Sequence, residues 1–191
     1  MVLPGAVLFP GAMLPLYIFE PRYRLMLARA LEGDRIFAVG MPAGEDGGSG
    51  VFPVGGAGIV RACVANVNGT SNLVLQGFAR VRFLDWSDTE PHPSATVEEL
   101  SSVPGSASAS TALRKEILTM LRKLAAKGGN FPEHFVSILE QPCPPGEFAD
   151  TASACLVADP AVRQRLLEEL DVARRLEIVA AYLTHLLAPL G

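Results

Sequence analysis

The sequence predicts an α+β fold with a strand-rich N-terminal part and a helical C-terminal part. Short apolar runs separated by turn residues over residues 1–100 are typical of antiparallel strands. Over residues 111–191 the apolar side chains recur instead at helical spacing. Residues 101–110 are mostly small and polar and contain Pro and Gly, which indicates a linker. We therefore expect a β-rich subdomain, a linker and a helical bundle over these three ranges.

The first predicted elements are two short strands and one helix. Residues 5–19 predict a strand on each side of a Pro10-Gly11 turn. Pro21 suits the first position of a helix, because its missing N–H costs nothing there. We expect this helix to run to about Leu31 and to end at Gly33, since apolar side chains recur at spacings of three or four: Tyr23, Met26, Leu27 and Ala30.

A further strand and a long hairpin are predicted next. Residues 35–42 indicate a strand and residues 43–50 a flexible loop. The hairpin turns at Asn68-Gly69, and alternation predicts that its first strand points three side chains the same way: Val60, Ala62 and Val64. Gln76-Gly77 predicts a bulge or a close backbone approach in the second strand, because Gly tolerates both.

The end of the second hairpin strand carries both apolar and charged residues. Val81 and Phe83 alternate there with Arg80 and Arg82, which predicts one apolar and one charged face. Residues 94–100 are suited to close the sheet. About six short strands and one helix predict a small, partly closed barrel.

The C-terminal part predicts a helical bundle with its own core. Gly128-Gly129 ends the first helix, whose apolar stripe is Leu113, Ile117, Met120, Leu121 and Leu124. Pro132 opens a short second helix that carries Phe135, Ile138 and Leu139. Residues 147–156 predict a third helix. Asp159-Pro160 is a cap and first turn for a fourth, which continues to the chain end with a break near Asp171.

The composition argues against several classes of function. The chain has 191 residues, 49% of them hydrophobic, and can bury one or two cores. Its net charge of −4 argues against nucleic-acid binding through phosphate neutralisation. The longest apolar stretch, residues 6–19, is too interrupted to predict a membrane span. Cys63, Cys143 and Cys155 are odd in number and lack metal-binding spacing, which favours a reducing cytoplasm.

No residue pattern indicates a reaction or a cofactor. The Gly-rich stretch at residues 43–50 lacks the lysine of a phosphate-binding loop, and there is no Gly-x-Ser-x-Gly nucleophile motif. His92, His134 and His185 are far apart and do not combine with the cysteines into a metal motif. We therefore expect no catalytic residue, no metal and no cofactor.

A cluster of charges surrounds the start of the first helix. Glu20 precedes this helix, and a carboxylate there interacts favourably with the helix dipole. We expect Glu20 to cap the helix and to pair with an arginine. That arginine lies in the helix, as Arg22 and Arg24 do, or across the sheet, as Arg80 and Arg82 do. The primary interpretation of this cluster is therefore structural.

A second interpretation is a groove that takes an extended or unfolded peptide. Its expected contacts are Phe19, Tyr23, Phe78 and Arg80. Tyr and Arg are enriched at interaction hot spots, which favours this set.

A resemblance to a known family covers nearly the whole chain. Residues 8–27, LFPGAMLPLYIFEPRYRLML, resemble the opening of the Lon protease N-terminal (substrate-binding) domain family, in its free-standing bacterial form. Residues 33–42, GDRIFAVGMP, are similar to the family's next strand, and residues 54–86 to its hairpin, which ends in Gly-x-x-Arg at Gly77–Arg80. Residues 91–100 and 159–183 resemble its closing strand and final helices.

The resemblance implies both a fold and a function. It implies a PUA-like β-barrel subdomain followed by a helical bundle. It also implies a non-catalytic, cytoplasmic module that binds unfolded or exposed hydrophobic polypeptide segments and works with a separate ATPase or protease. The Walker motif and Ser–Lys dyad of full Lon have no counterpart in these residues, so we expect no peptide cleavage by them.

Two other functions stay open on the sequence. A hydrolase with an unrecognised site would need a deep pocket around Glu20 or a histidine. A PUA-like RNA-binding protein would need Arg61, Arg80 and Arg82 to form one basic patch, although the net charge is negative. Analogy of fold alone does not choose between these functions.

Overall fold

A curled antiparallel sheet and one helix form the first of two compact units, Met1–Ser101 and Ser102–Gly191. The structure is a computed structural model that describes residues 1–44, 50–87, 89–126 and 133–188, without the side chains of residues 133 and 134. The predicted loop at 43–50 therefore lies mostly outside the described residues, as do Gly128-Gly129 and Pro132.

The first unit orders its elements along the chain as β1 (Met13–Ile18), α1 (Pro21–Glu32), β2 (Ile36–Val39), β3 (Val54–Ala65), β4 (Ser71–Ser87) and β5 (Ser94–Leu100). All the strand pairs are antiparallel, in the order β1-β4-β3-β2. The long β4 pairs with β1 over its first half and with β5 over its second half. The predicted α+β class is confirmed.

The segment before β1 is not the strand predicted over residues 5–9. Val7, Leu8 and Phe9 are buried, and the backbone oxygens of Leu8 and Phe9 lie against Gly56 and Gly77. A Cβ atom at either glycine would overlap those oxygens. The segment therefore packs across the sheet instead of pairing along its edge, and the close approach predicted at Gly77 is confirmed. The predicted turn at Pro10-Gly11 is present, with φ +79° at Gly11.

Three register shifts in the sheet each leave one extra residue, Arg61 on β3 and Phe78 and Leu84 on β4. The bulge predicted near Gln76-Gly77 is therefore confirmed, one residue further along. All three extra residues are exposed. Because a bulge adds one residue to a strand, it changes which side chains face the core beyond it.

The bulge at Arg61 contradicts the prediction that Val60, Ala62 and Val64 all point to the same side of β3. Val60 is buried opposite Leu75, as alternation requires. Beyond the bulge, Ala62 and Val64 are exposed, and Cys63 packs against the core instead. The prediction was wrong because simple alternation allows for no extra residue.

The helix α1 fills the core side of the sheet, and its predicted bounds are confirmed to within one residue. Tyr23, Met26 and Leu27 are its buried residues. The Tyr23 hydroxyl donates a hydrogen bond to the Val2 carbonyl at 3.0 Å and accepts one from the Val2 N–H at 3.2 Å. Tyr23 therefore fixes the start of the chain against α1.

The second unit is helical, with α2 (Ala107–Ala126), α3 (Glu133–Glu140), α4 (Pro145–Leu156), α5 (Pro160–Glu168) and α6 (Val172–Leu187). Residues 107–110, predicted as linker, belong to α2.

The cap at Asp159 is confirmed, because its carboxylate accepts from the N–H groups of Ala161 and Val162 at 2.8 and 3.1 Å. The predicted break is also confirmed, since Asp171 caps α6. Among the described residues, no helix is long and apolar enough to cross a membrane.

Arg175 is fully buried in this second unit. Its guanidinium donates to the carbonyls of Glu169 and Leu170 at 3.0 and 3.4 Å, and to the hydroxyl of Ser102 at 3.0 Å. Its Nε lies 3.6 Å from Oδ1 of Asp150. A buried cation requires such partners, so Arg175 ties α6 to α4, to the α5–α6 connection and to the start of the unit.

We predict that Gly56→Ala destabilises the protein by about 1–3 kcal/mol, because the new Cβ must displace the Leu8 backbone. Gly146→Ala, in the first turn of α4, is the control. A Cβ there meets only ordinary contacts and Ala suits a helix better than Gly, so this variant should be no less stable than wild type. Urea unfolding measures both changes. Equal stability of the two variants would contradict the packing described for Leu8.

We also predict that Asp150→Asn lowers the free energy of unfolding by about 3 kcal/mol, since it leaves the buried Arg175 charge without its carboxylate. The control is Glu98→Gln, which neutralises an equivalent carboxylate in the exposed Arg82–Glu98 pair. That change should cost less than about 1 kcal/mol. Chemical denaturation compares the two, and a cost for Asp150→Asn no larger than the control's would refute the role given to Arg175.

Candidate functional site

One face of the sheet, on strands β1, β4 and β3, is exposed and largely apolar. We call it the outer face and define it by Met13, Pro15, Tyr17, Ala62, Val64, Asn72, Val74 and Gln76. The opposite side of the same strands belongs to the core, as shown by the buried Ile18, Leu73 and Leu75. Strand alternation thus divides β1 into a buried side and an exposed side.

The outer face is organised in rows that run across the three strands. In one row, Tyr17 lies opposite Asn72, and Asn72 lies opposite Val64. In the next row the partners are Pro15, Val74 and Ala62. Directly opposite side chains in such rows lie about 5 Å apart and form a continuous surface.

A shallow groove of about 440 Å³ lies on the outer face. None of the residues that line it is charged: Pro15, Leu16, Tyr17, Ala62, Val64, Asn72, Leu73 and Val74. The Tyr17 and Val64 side chains are 53% and 64% exposed. Phe19 is 58% exposed and stacks on Tyr17, with ring centroids 5.9 Å apart. Exposed apolar surface of this kind marks interaction sites in soluble proteins.

Tyr17 and Val64, which line this groove, are not among the contacts predicted from the sequence. The sequence of β1, MLPLYI at 13–18, does indicate that Tyr17 has a special place. The side chains on both sides of this strand are apolar. Such a strand is expected to be covered on both sides, so exposure of one side leaves a surface available for a partner. No such signal exists for Val64, because its exposure follows from the bulge at Arg61.

The structure divides the four predicted peptide contacts into two pairs. Phe19 and Phe78 are exposed. Tyr23 and Arg80 are only 3% and 2% exposed, so neither can contact a ligand that lies on the surface. Tyr23 is held in the core by its bonds to Val2, and Arg80 is buried beside Val81 in β4, contrary to the predicted alternation.

The charged cluster near α1 forms surface contacts. Arg22 donates from Nε to the Glu20 carboxylate at 2.8 Å, and its guanidinium lies 4.6 Å from the centre of the Tyr23 ring. Glu20 occupies the cap position of α1, but its side chain makes no capping hydrogen bond. Arg82 pairs with Glu98 of β5 instead.

Arg24 makes no ion pair with any residue in the described ranges. Its guanidinium lies against Gly69, in the turn between β3 and β4. The side chain therefore supports that turn by packing, which differs from the ionic role predicted for it.

The three arginines of the RNA-binding alternative do not form one basic patch. Arg61 donates to the Gln76 side chain, Arg80 is buried, and Arg82 is paired with Glu98. This arrangement removes the observation that would have favoured RNA binding.

Neither the cavity beside Glu20 nor the one beside His92 is the deep pocket that the hydrolase alternative requires. The cavity beside Glu20 measures only about 50 Å³. His92 lines a larger one of about 270 Å³, with Nδ1 3.3 Å from the Ser94 hydroxyl. Among the described residues, no hydrogen-bond partner orients its Nε2, and no group of acidic, His and Cys side chains is arranged to hold a metal.

Solved structures share this architecture over almost their whole length. The N-terminal domain of the Mycobacterium avium complex Lon protease superposes with a TM-score of 0.76 at 15% identity, covering 96% of both chains. A Lon N-terminal domain protein from Xanthomonas campestris gives a TM-score of 0.63 at 20% identity, covering 95% of this chain and 96% of that one. The fold is therefore that of Lon N-terminal domains.

The sequence relationship is more specific than the fold. The profile of the ATP-dependent protease La (LON) substrate-binding domain matches residues 1–185. The chain belongs to this family, as its resemblance predicted.

Curated relatives are longer proteins. The Lon protease of Dictyoglomus thermophilum is 25% identical over 182 residues, which are 94% of this chain and 23% of that protein. The Lon protease of Escherichia coli K12 is 26% identical over 186 residues, or 94% of this chain and 24% of that protein. The chain thus spans about a quarter of the length of these relatives.

Proposed function

We propose that this chain is a non-catalytic module that binds unfolded or exposed hydrophobic polypeptide segments on the outer face. The observation that carries the proposal is the uncharged groove between Tyr17 and Val64, in which large apolar side chains are exposed. Membership of a substrate-binding domain family supports the same function.

Binding at this face rests on side-chain contacts. The backbone of β4 is paired on both sides, with β1 and with β3, so it has no free hydrogen-bonding edge there. A ligand gains instead by covering Tyr17, Val64 and Val74, at about 25 cal/mol for each Å² of apolar surface removed from water. Such contacts discriminate little between sequences, which suits a module that takes many clients.

Two exposed aromatic residues extend this surface. Phe19 continues it past the end of β1 through its stack on Tyr17. Phe78 lies two residues beyond Gln76 on β4, at the bulge. We retain both as peptide contacts, whereas Tyr23 and Arg80 serve the core.

The bound segment is passed on, in this proposal, to a separate ATPase or protease in the cytoplasm. Relatives of this chain are Lon proteases, and the part of them that it matches is the substrate-binding domain. The chain itself contributes recognition and needs no cofactor.

We predict that the double variant Tyr17→Ser/Val64→Ser binds an unfolded polypeptide at least tenfold more weakly than wild type. Tyr residues in the middle of an interface often contribute 2 kcal/mol or more. The probe is fluorescein-labelled α-lactalbumin that has been reduced and carboxymethylated, and its anisotropy reports binding. Both substituted side chains are exposed, so the melting temperature should hardly change.

The matched control for this experiment is Val97→Ser. Val97 is an exposed apolar residue of β5, in the same unit but away from the outer face. It should bind the probe like wild type. An equal loss of affinity in both variants, or no loss in either, would refute the location proposed for the site.

A further inference from the structure

The side-chain amide of Asn72 lies on the central strand of the outer face, in the row of Tyr17 and Val64. It is flanked by Tyr17 on β1 and Val64 on β3, and Val74 follows it on the same side of β4. Asn72 is exposed, and no described residue hydrogen-bonds to its amide. The other amide of the face, that of Gln76, already accepts a bond from Arg61. Asn72 therefore offers a donor and an acceptor within an apolar groove.

Any partner that covers the outer face removes water from this amide. A polar group that is buried without a hydrogen-bond partner weakens a complex substantially. The side-chain amide carries an accepting oxygen and a donating NH₂ group. A partner that fits must therefore bring both a donor and an acceptor to the same place.

We propose that Asn72 hydrogen-bonds the main chain of the bound segment, so that the outer face selects polypeptides in an extended conformation. A peptide group presents one N–H and one C=O, which complement the side-chain amide. This inference rests on the proposed function and adds the conformation of the ligand to it.

The same requirement disfavours a helical ligand. Inside a helix each N–H is bonded to the carbonyl four residues earlier, so the main chain has no free donor for Asn72. An amphipathic helix that lays a purely apolar stripe on the outer face would bury Tyr17 and Val64 but leave the amide unsatisfied. An extended segment satisfies the amide and still presents alternate side chains to the groove.

The spacing of the outer face also fits an extended segment. Residues that share one face of a strand recur about every 6.8 Å, and this holds for Asn72 and Val74 as well as for the ligand. A segment that runs along β4 therefore keeps the same register over successive rows. Because the polar contact is made to the main chain, it does not depend on the ligand's sequence.

The test compares wild type with Asn72→Leu and with the matched control Val74→Leu. Both changes add apolar surface to β4, but only the first removes the amide. The probe is a fluorescein-labelled decapeptide of alternating Val and Ser, and its anisotropy gives the affinity. We expect Asn72→Leu to bind it about tenfold more weakly than wild type, and Val74→Leu to bind it at least as well as wild type.

Two further ligands separate main-chain contact from apolar contact. The first is the same decapeptide with N-methyl groups at alternate residues, which removes N–H donors and keeps the side chains. It should bind wild type about tenfold more weakly than the unmodified peptide and show no further loss with Asn72→Leu. The second is a cross-linked helical peptide with a Val stripe, which should bind wild type at least tenfold more weakly than the alternating peptide.

The outcomes distinguish this inference from the proposed function. Two results would overturn the main-chain contact and leave the binding face intact. In the first, Asn72→Leu binds the alternating peptide as tightly as wild type does. In the second, wild type binds the helical peptide as tightly as the alternating peptide. Failure of wild type to bind any of the peptides or the unfolded protein overturns both. Asn72→Ala, which removes the amide without adding bulk or a new hydrogen-bonding group, should behave like Asn72→Leu, and full retention of affinity in it would also overturn the contact.

Discussion

The close packing of Leu8 and Phe9 against glycines of the sheet is the constraint on which the first unit depends. Gly56 and Gly77 have no side chains, so the backbone oxygens of the N-terminal segment reach a distance that any Cβ would forbid. Together with α1, this segment fills the core side of the curled sheet. Strands β1, β4 and β3 are left with only their other side available to a ligand.

The bulge at Arg61 then determines what that other side presents. Without the extra residue, the side chains of Ala62 and Val64 would share the buried side with Val60, and Cys63 would be exposed. With it, Val64 joins Tyr17 in one row across three strands, and Asn72 lies between them. Recognition of polypeptides on the outer face, as we propose it, is therefore a consequence of one inserted residue in β3.

The sequence predicted the positions of the helices far better than it predicted which side of each strand is buried. The helices α1, α5 and α6 could be located from local signals, namely the spacing of apolar side chains and the residues at the helix starts: Pro21, Asp159 and Asp171. The burial of Arg80 and Arg175 depends on contacts between segments distant in sequence, which periodicity does not contain. The predicted strand before Gly11 failed for the same reason, since its partners are glycines more than 45 residues away. Phe19, which the structure leaves exposed, continues an apolar strand, whereas the exposure of Val64 depends on the register of β3 and β4.

The most direct test of the account is to observe which methyl groups of the protein respond to an unfolded polypeptide. With valine methyl groups labelled with ¹³C, reduced and carboxymethylated α-lactalbumin is titrated into the protein and the NMR spectrum is followed. The largest shifts should occur at Val64 and Val74. Val97, and Val103, which is an exposed residue of the second unit, should not shift. Shifts that centre on Val97 or Val103 and spare Val64 would contradict the account.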